Sequence, residues 1–312
     1  MVDPAVLRRF SAGAARYEAH AHAQRLSAVD LLAYTQTSLG RSRPMNILEP
    51  GCGTGLYTRM LLDAFRGASV FGVDISEAMV RVARRGIADS RTRFAVADAE
   101  EIATGNYDLV TSNAAFQWFL SLPRTLARMA TLLPGGGLLT FSFFGPETYA
   151  ELANALRAAA SHGRPGAAAG RDAPGFIAAA AFHSREEISD ALSAVFPRWD
   201  VTERRYHQEF PTLADLLRSI RYTGTRGGEA RESWSPGKLA RVEEAYRGRD
   251  GGIKATYQVF LCRGTTDDGQ GRPSVGAGRD APDFEAPTGQ GRPSAATGRD
   301  APDLVVAARG IG

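Results

Sequence analysis

Ile47-Leu48-Glu49-Pro50-Gly51-Cys52-Gly53-Thr54-Gly55-Leu56 decides how this chain folds. The aliphatic pair and the acid read as a buried strand ending in a carboxylate, and the glycines after it as a loop that runs into a helix. Glycines at alternate positions 51, 53 and 55 let the backbone turn sharply. They also leave its amides open to a ligand, because no Cβ blocks the approach. An acid placed before the first glycine argues against a phosphate there and for a ligand that carries positive charge.

Working outward, strands and helices alternate. Met45–Glu49, Val70–Asp74, Phe94–Ala97, Tyr107–Ser112 and Leu138–Phe144 read as short apolar strands. Leu56–Phe65, Glu77–Ala88 and Leu122–Leu133 read as helices, with Ser76 a good N-cap for the second. Pro134-Gly135-Gly136-Gly137 stops the third helix and forces a tight turn. Such strand–helix units predict an α/β, Rossmann-like fold, its mostly parallel sheet covered by helices on both faces. Further on, Glu147–Ala160, Arg185–Phe196, Leu213–Tyr222 and Lys238–Tyr246 read as helices. Asp200–Phe210 and Ile253–Leu261 read as strands, the sixth and seventh of the sheet.

The spacing Gly51-x-Gly53-x-Gly55 differs from the dinucleotide fingerprint, which has two residues before its third glycine. A nicotinamide-dependent oxidoreductase is therefore disfavoured. Asp74 closes the second strand where an acid meets ribose hydroxyls, and Asp98 follows the third, placed to accept from an adenine amino group. With Glu49 they put three acids at three successive strand ends on one sheet edge. The ligand that fits is S-adenosylmethionine, with its ammonium and its sulfonium. Asn113, at the end of the fourth strand, is expected to hold the methionine end of that donor. Gln117 and Trp118, in Asn113-Ala114-Ala115-Phe116-Gln117-Trp118, are expected to wall the acceptor pocket.

Composition narrows the class. A chain of 312 residues with 44% hydrophobic content supports a sizeable soluble core. A net charge of +3 does not point to nucleic acid. Lysine occurs only at Lys238 and Lys254, and the arginine-heavy balance fits coding bias in a GC-rich genome. Two cysteines, Cys52 and Cys262, make no disulfide framework or metal spacing. His20 and His22 stand two apart on a predicted helix and cannot share a metal, and no Ser–His–Asp set or zinc site is present. With no signal peptide and no membrane-length apolar run, a cytoplasmic monomer without metal is expected.

Gly163–Pro174 reads GRPGAAAGRDAP, and the same frame recurs at Gly271–Pro282 and Gly291–Pro302. These repeats have almost no aliphatic content and cannot build a core. The expected organisation is a helical lid over 1–44, a catalytic domain over 45–263 with a low-complexity insert at 161–176, and a disordered repeat-bearing tail over 264–312.

The segment Phe10-Ser11-Ala12-Gly13-Ala14-Ala15-Arg16-Tyr17, continuing to Ala21, Gln24, Arg25 and Ser27, carries more specific information. As an F-x-x-x-A-A-x-Y-x-x-x-A-x-x-Q helix ahead of the glycine loop, it resembles the malonyl-acyl-carrier-protein O-methyltransferases of biotin synthesis, class I methyltransferases dependent on S-adenosylmethionine. LEPGCGTG, VFGVDIS with Met79, YDLVTSNAAFQW, LLPGGGLLTFSFFGPETYAEL and Leu217-Arg218-Ser219-Ile220-Arg221 with Gly224-Thr225 are similar to that family too.

The resemblance implies methyl transfer to the free carboxylate of malonyl-acyl-carrier protein. It adds Ile75, Met79 and Ala99 to the expected cofactor contacts. It implies that Tyr17 faces the sulfonium and the malonyl group from the lid. Arg218 and Arg221 become candidates for holding the carboxylate or the carrier, and Arg8, Arg9 and Arg221 for docking an acidic carrier. Two alternatives stand beside this reading: a methyltransferase acting on another small acid or a quinone precursor, and a donor-binding assembly factor without methyl transfer. The repeat at 163–174 falls where the substrate pocket is covered.

Overall fold

β1 (Asn46–Pro50), β2 (Ser69–Asp74), β3 (Thr92–Val96), β4 (Leu109–Ser112) and β5 (Leu138–Phe144) pair in parallel. β6 (Arg198–Phe210) and β7 (Ile253–Thr265) complete the sheet by antiparallel pairing, in the order β3-β2-β1-β4-β5-β7-β6. This computed structural model describes residues 4–161, 177–225, 235–250 and 252–267. Every residue of β5 is buried, which requires cover on both faces and explains its unbroken apolar reading. The strand order reverses between β1 and β4, and the crevice beyond their carboxyl ends is where such sheets bind ligands. β7 continues through Thr265, with Gly264 paired to Leu139 and Trp199. The sheet thus extends past the expected domain end at 263. All three repeats lie outside the described residues.

The N-terminal segment is not one helix. α1 (Pro4–Gly13) gives way to a 3-10 turn over Ala14–Arg16, then to the single turn α2 (Tyr17–His20). Gly13 ends α1 where the chain meets Tyr222, whose carbonyl oxygen would stand 2.8 Å from an added Cβ. Ala21, fully buried, breaks the path before α3 (His22–Leu39). α3 belongs to the core, since Ala28 and Leu31 are fully buried and Thr35 Oγ1 lies 2.8 Å from Thr140 Oγ1 of β5. The segment expected as a lid over 1–44 therefore includes α3, which is packed into the core.

α4 (Leu56–Ala64), α5 (Glu77–Gly86) and α6 (Leu122–Thr131) make the crossovers that parallel pairing demands. Ser76 caps α5 as expected, its Oγ accepting from the Met79 N–H at 3.3 Å. α7 (Ala150–Ser161) starts later than expected because Tyr149 holds a left-handed φ of 62°. α8 (Arg185–Ser193) opens on a capping box of Ser184 and Glu187. α9 (Leu213–Tyr222) is capped by Thr212, and α10 (Pro236–Asp250) leads to the closing strand.

Candidate functional site

The loop after β1 is held by β2: the N–H groups of Gly51 and Cys52 both donate to the Val73 carbonyl, at 2.8 and 3.0 Å. Gly51 has φ 69° and Gly53 φ 54°, so both need the left-handed freedom of glycine. A Cβ on Gly51 would stand 2.4 Å from that of Ala115, whereas one on Gly53 would meet nothing within 4 Å. Gly51 thus permits close packing, and Gly53 opens the loop toward a cavity. Asp74, at the end of β2, fixes this shape by accepting from the Gly53 N–H at 2.9 Å and the Ser76 N–H at 2.8 Å.

The cavity encloses about 680 Å³, its mouth included. Its floor comes from the sheet edge: Gly51, Gly53, Asp74, Ile75, Met79 and, past β3, Asp98 and Ala99. Asn113 closes one side, its Nδ2 donating to the Gln24 carbonyl at 3.0 Å and its Oδ1 accepting from Ser142 Oγ at 2.8 Å. Tyr17 and Trp118 complete the expected members. Trp118 stands edge-on to Phe10 of α1 and to Phe182, with ring centroids 5.6 and 5.3 Å apart. A more open surface cleft beside α6, lined by Glu100, Arg124 and Arg128, contains none of the predicted site residues.

Five predicted residues are not brought to the cavity. Glu49, 1% exposed, lies behind the loop, where its Oε2 accepts from Thr58 Oγ1 of α4 at 2.5 Å. Gly55 serves packing, for a Cβ there would strike Ile87. Gln117 turns away to donate from Nε2 to the Ala114 carbonyl at 2.7 Å, so it does not wall the pocket. Arg218 is exposed and bound to Asp215 on its own helix at 2.5 Å, while Arg221 lies beside the Tyr222 ring. A clamp on a carboxylate inside the cavity is thus not among the contacts of either arginine.

Sequence reasoning missed the apolar roof. Val6, Leu7 and Phe10 of α1 line the cavity, as does Phe119. Val6 and Phe10 are four apart and share a helix face, a spacing visible in the sequence. What that face covers was not visible.

Among the described residues, Asp74 and Asp98 are the charged side chains of the lining, and no lysine or arginine stands beside them. Burial pushes the Asp74 carboxyl up to about 6, against the hydrogen bonds from Ser76 and Gly53. Burial likewise pushes Glu49 up to about 8, opposed by the Thr58 hydrogen bond and aided by nearby Asp74. The Tyr17 phenol is pushed up by burial and, next, by the negative charge of Asp74, so it keeps its proton. Among the described residues no cluster of three or more His, Cys, Asp or Glu is arranged for a metal ion.

Residues 47–137 match the model of a family described as a methyltransferase domain. A malonyl-[acyl-carrier protein] O-methyltransferase of Paenibacillus sp. (strain JDR-2) is 33% identical over 276 residues, spanning 82% of this chain and 96% of the relative. The enzyme of that name from Geobacter sulfurreducens is also 33% identical, over 275 residues, with 83% and 97% covered. This chain belongs to the malonyl-[acyl-carrier protein] O-methyltransferase family. The YcgJ protein of Bacillus subtilis shares its fold, with a TM-score of 0.50 at 17% identity, covering 77% of this chain and 99% of that one.

Membership of this family makes S-adenosylmethionine the methyl donor. The residues present suit it: a cation-bearing ligand is favoured by two lining carboxylates with no basic side chain among the described lining residues, and the space left open at Gly53 leaves it room beside the loop.

Proposed function

We propose that this chain methylates the free carboxylate of malonyl-acyl-carrier protein, giving the methyl ester that primes pimeloyl and hence biotin synthesis. The observation that carries this reading is the meeting of Tyr17, from the lid, with Asp74, from the sheet edge, in one cavity. When bound, S-adenosylmethionine supplies an electrophilic methyl group. Asp74 is assigned to its ribose hydroxyls, Asp98 to the adenine amino group, and Asn113 to its methionine end, with Ile75, Met79 and Ala99 packing on it.

The acceptor needs no general base, because a carboxylate is ionised at neutral pH with a reference pKa of about 4. The chain's task is positioning and exclusion of water, and orientation alone supplies about 7–11 kcal/mol in favourable cases. Tyr17 retains the proton on Oη and donates a hydrogen bond to the substrate from the lid. Val6, Leu7, Phe10 and Trp118 form an apolar wall that strips water from the reacting carboxylate. Esterification removes a charge that apolar sites of chain-elongating enzymes would bind at high cost.

α1, which carries Arg8 and Arg9, packs against α9, which carries Arg221. Arg16 adds a guanidinium that donates to Tyr222 Oη at 2.6 Å. We assign this basic face to the acidic carrier protein, by electrostatic steering. No helix of the described residues is long and apolar enough to cross a membrane.

The test is mass spectrometry of malonyl-acyl-carrier protein incubated with the full chain and donor, which is expected to gain one methyl group. No gain, alongside clear methylation of a free small acid, would overturn the assignment of the acceptor.

A further inference from the structure

Glu18 neighbours Tyr17 in the single turn α2, yet it points away from the cavity into a set of contacts of its own. Its Oε1 accepts from Thr54 Oγ1 at 2.8 Å and from an Arg59 guanidinium nitrogen at 2.6 Å. Thr54, 1% exposed, lies in the glycine loop between Gly53 and Gly55, and Arg59 lies on the helix that the loop enters. One carboxylate oxygen therefore ties the lid to the loop that forms the cavity floor. Burial acts to raise the Glu18 carboxyl, but the bonds from Arg59 and Thr54 outweigh it and hold the group below its ordinary value.

A second contact, Ser11 Oγ to Ser76 Oγ at 2.9 Å, ties α1 to the start of α5. On the far side, Arg16 and His20 hold the lid to Tyr222, the imidazole stacking at 4.7 Å between centroids. Among these ties, only that of Glu18 reaches the glycine loop.

We propose that Glu18 is a positioning residue: by gripping Thr54 and Arg59 it sets Tyr17 over the donor site and couples lid closure to donor binding. This rests on the donor reading given above. The side chains of Glu18 and Arg59 are 34% and 37% exposed, and ion pairs so open to water add little to fold stability. The pair is thus suited to governing where the lid sits rather than whether the chain folds. Coupling runs both ways: a donor that holds the loop in shape presents Thr54 to Glu18, and a closed lid slows donor escape.

The experiment compares the full chain with Glu18→Ala and Glu18→Gln, using S-adenosylhomocysteine as probe in calorimetry and hydrogen exchange. In the wild type, the probe is expected to slow exchange across residues 5–20. Glu18→Ala should weaken probe binding about tenfold, lose that protection, and lower kcat, with the Tm of the free protein within about 2 °C of wild type. Glu18→Gln, which keeps an acceptor for Thr54, should recover part of the affinity. Affinity within twofold of wild type and unchanged protection in Glu18→Ala would overturn the proposal. So would a collapse of free-protein stability with no partial rescue by Gln. Failure of the wild type to bind the probe would instead overturn the donor assignment on which the inference rests.

Discussion

The two halves of the cavity are built by different means. The floor is made by backbone: the Gly51 and Cys52 amides hang from Val73, and the Gly53 amide is clamped by Asp74. The roof is made by side chains on three short pieces, α1, the 3-10 turn and α2, joined to the rest through such contacts as Ser11 with Ser76, Glu18 with Thr54 and Arg59, and Arg16 with Tyr222. A floor shared with neighbouring strands cannot move without breaking the sheet. A roof held by a few partly exposed bonds opens at low cost, as a site that must admit substrate requires. On the reading proposed above, the direct donor contacts belong to the floor, while the roof governs closure over the donor and turnover.

The largest expected effect is on the floor. Asp74→Ala removes a charged acceptor of two backbone bonds and should weaken S-adenosylhomocysteine binding about 10- to 100-fold, following the roughly 1.5–3 kcal/mol of such bonds. Calorimetry measures it, and an unchanged affinity would break the division of labour. Tyr17→Phe acts on the roof. It should lower kcat about tenfold, the worth of one hydrogen bond of roughly 1–1.5 kcal/mol, and leave the affinity for the same probe intact. Parallel loss of both in steady-state and binding assays would make Tyr17 part of the floor.

Glu49→Gln sharpens the comparison through pH. The Glu49 carboxyl binds its proton more tightly in the folded state, at about 8 against an ordinary 4.5. Its contribution to stability is therefore fully present below 4.5 and lost as pH rises through about 8. The Tm of the free wild type should fall across that window, and the Gln variant should show a flatter profile in thermal melts. Asp74, raised to about 6 from 3.8, acts in the same direction at lower pH. Identical profiles would show that the buried acid behind the floor bears no such load. The smallest effect belongs to neither half. Removal of residues 268–312, beyond the described end of the sheet, should leave kcat/KM within about twofold. A tenfold loss would give the repeat-bearing segment a part in the roof.

Much of the floor was legible. The glycine spacing, Asp74 and Asp98 after successive strands, and the Ser76 cap all rest on contacts within a few residues or between neighbouring strands. Glu49 was read correctly as a buried strand-end acid, but not its direction. A strand alternates its side chains, and only the packing of α4 shows that Thr58 receives this one. Gln117 and Arg218 lie outside the cavity lining for a related reason: local partners, the Ala114 carbonyl and Asp215, engage the Gln117 amide nitrogen and the Arg218 guanidinium.

The sequence by itself determined the doubly covered sheet, the glycine loop at its edge, and, through resemblance, the family. Periodicity and turn chemistry are local, and parallel strands leave little choice of topology once they alternate with helices. Only the tertiary structure decided how the N-terminal segment breaks at Gly13 and Ala21, that Val6 and Phe10 line the cavity, and that Glu18 grips the glycine loop. Those contacts join residues tens to hundreds of positions apart, where packing and not local preference selects the partner.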